Sequence, residues 1–368
     1  MRRTYIDKPL ALLIAILIVG GALIFASAAF GLLGRGANNI TSVVANHLLL
    51  GIGFGLLMLV LTTSIDYRLW RRFAPYIFAA SLLATAAVFL PHIGAEHGGG
   101  RRWILLLGIS FQPSEALKFA SIVVSAAYCA AIRDQVKSMT AGLGGLLLIL
   151  SFPAMLLVLQ PDIGTLGVIC ISTFSIFWAA GARFRDMILL GLIGVLIIAA
   201  LAFAKPYVRD RVTTFLNPAQ GQQAESYQIR QSLIAVGSGG IFGRGFGQGI
   251  QKFTYLPEPM GDSIFAVLGE ELGFAGAVAT IVLFTLFALR GYHIASHTHD
   301  TFGAYLATGI STYLAIEAFI NIASMLGVAP LTGIPLTFMS QGGSAMLVSL
   351  GSAGVLLNIS RTSGKKRV

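Results

Sequence analysis

The sequence predicts an all-α integral membrane protein with ten transmembrane helices and one long extracytoplasmic loop. Three observations predict it. Of 368 residues, 56% are hydrophobic and only 11% charged, where a soluble domain carries about 25% charged residues. Mean hydropathy is +0.81. The apolar residues also fall in runs of spanning length, roughly 20 helical residues each. Backbone crosses lipid only with its polar groups paired internally, so these runs are helices, and no alternating strand pattern competes. The chain, 1–368, reads as one polytopic domain.

The first run, 10–30, follows Arg2, Arg3 and Lys8. Ala26-Ser27-Ala28 imitates a signal-peptide cleavage site, but the run exceeds the roughly 7–15 residues of a signal core. It reads as a helix that is kept. Further runs follow at 45–64, 73–91, 114–132, 139–159, 163–181, 186–204, 263–289, 302–327 and 341–360, each ended by charge or by Pro and Gly. Cys129 and Cys170 sit inside such runs and build no disulfide or metal framework.

Lys and Arg in the connecting segments set the orientation. With a cytoplasmic N-terminus, the inner segments hold 15 of them. These are Arg2, Arg3, Lys8, Arg68, Arg71, Arg72, Arg133, Lys137, Arg183, Arg185, Arg290, Arg361, Lys365, Lys366 and Arg367. The short outer loops hold three: Arg35, Arg101 and Arg102. Both termini are therefore expected in the cytoplasm. The net charge of +10 then reflects loops facing an anionic leaflet, not a nucleic-acid partner.

The outer segment 205–262 is long enough to be functional. Its stretch GSGGIFGRGFGQG, 237–249, carries seven glycines. Such backbone either cradles phosphate or forms a re-entrant or surface loop with angles that only glycine takes easily. It matches neither GxxxxGK[ST] nor a strand-following GxGxxG, so no nucleotide site is expected.

Polar residues concentrate on the outer side. Arg101 and Arg102 precede Pro113, which suits the first turn of the fourth helix. Glu115 and Lys118 are spaced i, i+3 and share a helix face. They either neutralise each other or floor a polar cavity. Asp162, in Gln160-Pro161-Asp162, suits an N-cap. In YLPEPMGDSIFAVLGEELGF, 255–274, Pro257 and Pro259 keep Glu258 out of a helix, and Asp262 is the expected N-cap of the eighth. Ala266, Gly269 and Gly273 follow Asp262 on one small-residue face, which another helix or a lipid chain can approach. Glu270 and Glu271 lie deeper and point apart, with Lys118 and Arg102 as candidate partners. Glu317 and Asn321 are spaced i, i+4 in the ninth run, and Ser344 lies in a Gly-rich break before the tenth. His297-x-His299 lacks a third ligand and is discounted as a metal site.

FQPSEALK at 111–118, QPDIGT at 160–165, GSGGIFGRGFGQGIQKFTYLPE at 237–258, DSIFAVLGEELG at 262–273 and GIPLTFMSQGGSAML at 333–347 resemble blocks of the SEDS family (shape, elongation, division and sporulation), in family order. Its members include FtsW, RodA and SpoVE, and the wording is closer to FtsW. The resemblance implies a peptidoglycan glycosyltransferase of the bacterial cytoplasmic membrane. Such enzymes polymerise lipid II into β-1,4 glycan strands, releasing undecaprenyl pyrophosphate. The implied partners are a class B penicillin-binding protein and membrane proteins of the divisome or elongasome. The family's essential aspartate falls on Asp262. Arg101, Arg102, Glu115, Lys118, Glu258, Glu270 and Ser344 are the candidate substrate contacts. Two departures stand out: Gln341-Gly342-Gly343-Ser344-Ala345 replaces a common Tyr-Gly-Gly-Ser-Ser, and Met260-Gly261 replaces His-Thr.

The implied chemistry suits these residues. An inverting transfer needs a base for the attacking hydroxyl, and a carboxylate serves. The leaving pyrophosphate needs cations, from Arg101, Arg102, Lys118 or a divalent ion, Mg or Mn. Two other classes compete: a lipid II flippase, and a scaffold of the division or elongation complex without chemistry of its own. A flippase needs polar residues along the whole crossing, and Glu317 is the feature that favours it.

Overall fold

The computed structural model describes residues 6–35, 40–91, 94–97, 100–106, 109–216 and 224–363. The orientation cations Arg2, Arg3, Lys365, Lys366 and Arg367, and loop residues 217–223, lie outside the described residues. Each predicted run is helical: α1 (Lys8–Ala29), α2 (40–64, with a π-helical His47–Gly53 inside it), α3 (Arg68–Ala87), α4 (Pro113–Ile132), α5 (139–159, opening on a π-helical Met139–Gly144), α6 (Ile163–Ala179) and α7 (Phe184–Ala204). After the long loop come α11 (Ile264–His297), α12 (Thr301–Met325) and α13 (Gly343–Ser363). Eight of the described helices are long and apolar enough to cross a membrane. α6 has only 17 residues, and α3 opens on Arg68, Arg71 and Arg72, so length and composition support eight of the ten expected spans.

Two expectations need correction. Strands do occur: β1 (Gly94–His97), β2 (Gly100–Leu106) and β3 (Ile109–Phe111) form an antiparallel sheet in the order β1-β2-β3. These strands are too short to show an alternating pattern, and their sequence runs on from an apolar helix. The long loop is also structured: it holds α8 (Pro206–Leu216), α9 (Ala224–Ser238) and a short α10 (Gln251–Thr254).

The core lies around α4, α12 and α13, whose apolar windows are 67%, 72% and 78% buried; α7, at 6%, stands on the periphery. Close helix approach rests on small residues. A Cβ on Gly354 of α13 would lie 2.1 Å from Thr62 Oγ1 and 2.4 Å from the Leu59 carbonyl oxygen of α2. Polar groups lace the same pair: Thr62 Oγ1 donates to the Gly351 carbonyl at 2.8 Å, and Asn358 Nδ2 to that of Thr63 at 2.7 Å. Gly354→Ala is expected to cost about 1–3 kcal/mol by overpacking, because a backbone carbonyl cannot step aside. Thermal unfolding in detergent checks this; an unchanged midpoint would show that the helices can separate freely.

Two ties hold α1 against α11. Asp7 caps α1 by accepting from Leu10 N at 2.9 Å, and its carboxylate also takes Arg290 Nη2 at 2.7 Å and Nε at 3.0 Å. At the far end of these helices the Gly-rich segment wedges between them, as described next.

Candidate active site

Asp262 sits in the turn that leads into α11. The N-cap position belongs to Ser263, which makes no capping bond from its side chain, so Asp262 is not the cap the sequence suggests. Its carboxylate is released for other work. Glu258 shapes the turn: it holds φ +43°, and its carbonyl accepts from Gly261 N at 3.0 Å and Ser263 N at 3.2 Å. Flanking prolines leave it exposed. A left-handed conformation at a non-glycine residue persists only where the surroundings over-determine it.

The surroundings do so from two sides. Asn321 of α12 donates from Nδ2 to the Asp262 carbonyl at 2.7 Å and to the Ile334 carbonyl at 2.8 Å. Ser340 Oγ donates to the Gly261 carbonyl at 2.6 Å, and Gln341 N to the Met260 carbonyl at 2.7 Å. The 331–342 segment thus grips the turn by its backbone and leaves the Asp262 side chain clear. That side chain accepts from Gln228 Nε2 of α9 at 3.0 Å, and the same amide nitrogen reaches Ser263 Oγ at 2.9 Å. Asp262 is half-buried. Burial pushes its pKa up to about 6; the Gln228 hydrogen bond opposes this, and the charge of Glu258 adds to it.

Below the turn lies a buried charge cluster. Lys118 pairs with Glu115 at 2.9 Å, one helical turn apart on α4, as the spacing predicts. It also pairs with Glu317 of α12, which sequence reasoning left without a role. Thr337 Oγ1 reaches Glu317 at 3.4 Å, and the Lys118 ammonium lies 5.3 Å from the Tyr313 ring. All three charged side chains are about 2% exposed. Glu317 precedes Asn321 by four residues, so the cluster sits about 6 Å deeper than the Asp262 turn.

The other predicted residues divide. Arg102 of β2 donates from Nε to the Gln160 carbonyl at 3.1 Å and from Nη2 to that of Pro161. It therefore braces the α5–α6 turn, where Asp162 caps α6 by accepting from Thr165 N at 3.3 Å, as expected. Arg101 is exposed. Ser344 Oγ accepts from Gln112 N at 3.3 Å, tying α13 to the start of α4.

Glu270 and Glu271 are corrected most. Neither meets Lys118 or Arg102, and neither faces open space. Glu270 accepts from Ile250 N at 2.8 Å and Gln251 N at 3.1 Å, with Arg244 Nε 3.6 Å away. Glu271 accepts from Gly247 N at 3.0 Å, from Ser27 Oγ of α1 at 2.7 Å and from Lys252 Nζ at 2.6 Å. The Gly-rich backbone does cradle anions, but they are the chain's own carboxylates. The small face of α11 is used likewise: a Cβ on Gly273 would come within 2.3 Å of Gly243 N. Gly273 itself holds φ +68° and breaks the helix, which frees carbonyls for the segment.

Among the described residues, no three His, Cys, Asp or Glu side chains stand close enough to hold a metal ion. At the end of the bundle opposite Asp262, a cleft of about 610 Å³ runs past Trp178, Tyr292 and Tyr305. No charged residue lines it, so it offers nothing to a diphosphate.

Fold and site together define a multi-pass helical membrane protein with a braced, half-buried carboxylate at one end of its bundle. The family model described as "Cell cycle protein", covering FtsW, RodA and SpoVE, matches residues 8–365, and the chain belongs to that family. It is 38% identical to stage V sporulation protein E of Bacillus subtilis (strain 168) over 319 residues, 87% of each chain. It is 39% identical to a probable peptidoglycan glycosyltransferase FtsW of Geobacter sp. (strain M18), over 84% of this chain and 83% of that one. A solved structure described as "Structural coordination of polymerization and crosslinking by a peptidoglycan synthase complex" matches with TM-score 0.81 and 25% identity, over 98% of this chain and 99% of the other. RodA of Thermus thermophilus shares the fold at TM-score 0.70.

Proposed function

We propose that the chain is a peptidoglycan glycosyltransferase whose general base is Asp262. One observation carries the assignment of the base: a carboxylate held at the rim of the bundle by its backbone, with its side chain steadied by the Gln228 amide and by Ser263. In this reading the donor and acceptor are lipid II. The acceptor sugar hydroxyl attacks the donor anomeric carbon, the new C–O bond forms as the bond to the diphosphate oxygen breaks, and the proton passes to Asp262. Undecaprenyl pyrophosphate leaves with the electron pair. Inversion needs one base and no covalent intermediate.

In this reading Arg101, at the surface, meets the diphosphate, and Arg102 holds the Gln160–Pro161 turn beside it. Lys118 is already neutralised by Glu115 and Glu317, so the cluster serves as a buried floor beneath the turn. The same pairing occupies Glu317, the feature that best suited a flippase. We place both termini in the bacterial cytoplasm and the site at the outer face, on the charge distribution of the loops. The partner in this reading is a class B penicillin-binding protein. A test that separates the classes is lipid II in detergent with the purified protein and its cognate transpeptidase. Detergent removes sidedness, so glycan strands on a gel mean polymerase; none means flippase or scaffold.

A raised pKa gives the reaction an acid limb. The base works only when ionised, so activity should be full well above pH 6, fall to half at about pH 6 and be lost below it. An ordinary aspartate would keep working to about pH 4. Gln228→Leu removes the donor that stabilises the carboxylate. The limb should then move up by about one to two pH units, since a hydrogen bond to a charged group is worth about 1.5–3 kcal/mol. A kcat/KM profile for polymerisation reads this directly; a limb that stays in place would remove Gln228 from the account.

A further inference from the structure

The Gly-rich segment is not consumed by the chemistry, and its position is informative. Residues 272–289 of α11 form its longest stretch without charge, bounded by Glu271 and Arg290. The sixteen helical residues after the Gly273 break, 274–289, span about 24 Å, and with Leu272 and Gly273 they approach the roughly 30 Å of a hydrocarbon core. The boundary of the core therefore falls at Glu271 and Leu272. The segment is fastened at that level. Arg244 N donates to the Glu270 carbonyl at 3.0 Å and Gly245 N to that of Glu271 at 3.1 Å; Phe274 N and Ala275 N donate back to the carbonyls of Gly240 at 2.8 Å and Ile241 at 3.0 Å.

Two features then need explaining. The segment exposes large apolar side chains: Phe242 is 85% exposed, Ile241 65%, Ile250 52% and Phe246 51%, beside Phe274 of α11 at 67%. Six of the ten backbone donors of 241–250 are nevertheless satisfied from within. Besides Arg244 and Gly245, the N–H groups of Gly243 and Gln248 meet backbone carbonyls, and those of Gly247, Ile250 and Gln251 meet the carboxylates of Glu270 and Glu271. A loop in water has no need of such internal acceptors. Non-helical backbone at membrane depth does, and Phe side chains favour hydrocarbon over water.

We propose that residues 241–250 form a foot that rests in the outer leaflet of the bilayer, with Phe242 and Phe246 against the lipid. The occupant of this surface is phospholipid, and the surface continues the lipid-facing side of α11. The foot leads through α10 into the 255–262 turn, so it sets the height of Asp262. Asp262 lies ten residues before the boundary, on the other side of the Gly273 break, and so stands on the water side of the foot. There it faces the sugars of lipid II. The foot rests on the membrane-spanning reading of α11, and only this last consequence depends on the proposed chemistry.

The test is nitroxide accessibility in vesicles of phosphatidylethanolamine and phosphatidylglycerol. Labels are placed by Phe242→Cys, Phe246→Cys and Tyr255→Cys in a Cys129→Ala, Cys170→Ala background. Collision with oxygen relative to a water-soluble nickel chelate should be several-fold higher at 242 and 246 than at 255. Equal ratios at the three positions would put the segment in water and overturn the proposal. Low collision with both reagents at 242 and 246 would mean that protein covers the patch, which overturns it as well. Should the cysteine background misfold, Phe246→Trp in brominated lipids replaces it: quenching beyond the parent signal is expected, and none contradicts the foot. Lipid II plays no part in either readout, so neither outcome bears on polymerase activity.

Discussion

Lys252→Met is expected to destabilise the protein by about 3–5 kcal/mol, the cost of leaving a buried partner charge unpaired. Lys252 and Glu271 are both 0% exposed at their side chains and 2.6 Å apart. The ammonium also donates to Ser27 Oγ at 2.8 Å and to the Gly247 carbonyl at 3.0 Å. One cation thus joins α1, the Gly-rich segment and α11. Without it, Glu271 must take a proton or draw in water, and the segment that leads to the Asp262 turn loses its anchor. The packing leaves little room to adapt: a Cβ on Gly31 would lie 2.2 Å from the Lys252 carbonyl oxygen. Adding Glu271→Gln should recover part of the loss, because no charge then stays buried alone. Thermal unfolding in detergent measures both variants. A single substitution that leaves the midpoint unchanged would show that water already reaches the pair.

Asp262→Asn is expected to lower the polymerisation rate by about a hundred- to ten-thousandfold, the usual worth of a positioned general base. The variant should fold. The turn is held by Asn321, Ser340 and Gln341 through main-chain atoms, and an amide can still accept from Gln228. What it cannot do is take a proton from a sugar hydroxyl. Loss of activity with an unchanged fold is therefore the signature of the base, whereas a cap or a purely structural acid would show a lower melting point first.

The sequence made much of this legible, for physical reasons that differ by element. The apolar runs announced the helices because lipid permits little else. Pro113 and the i, i+3 pair Glu115–Lys118 follow local rules, so they could be read without knowing the fold. Asp162 as a cap is equally local. The partners of Glu270 and Glu271 were not legible, since those contacts join residues 19–24 and 244 positions apart. No local pattern distinguishes a carboxylate that cradles a loop from one that meets a substrate. Gln228 carried no signal either: its side chain becomes meaningful only once α9 packs beside α11. Glu317 and Asn321 were visible as polar residues in an apolar run. Their roles one turn apart, one on Lys118 and one on the Asp262 backbone, needed the tertiary structure.

The central claim is that Asp262 serves as the base for glycan polymerisation, and one paired measurement addresses it. Wild type and Asp262→Asn, each with its cognate transpeptidase in detergent, are matched for melting temperature and for lipid II binding, then assayed for glycan strands. The account predicts strands from wild type and at least about a hundredfold fewer from the variant at equal lipid II occupancy. Strand formation by Asp262→Asn at the wild-type rate would contradict it.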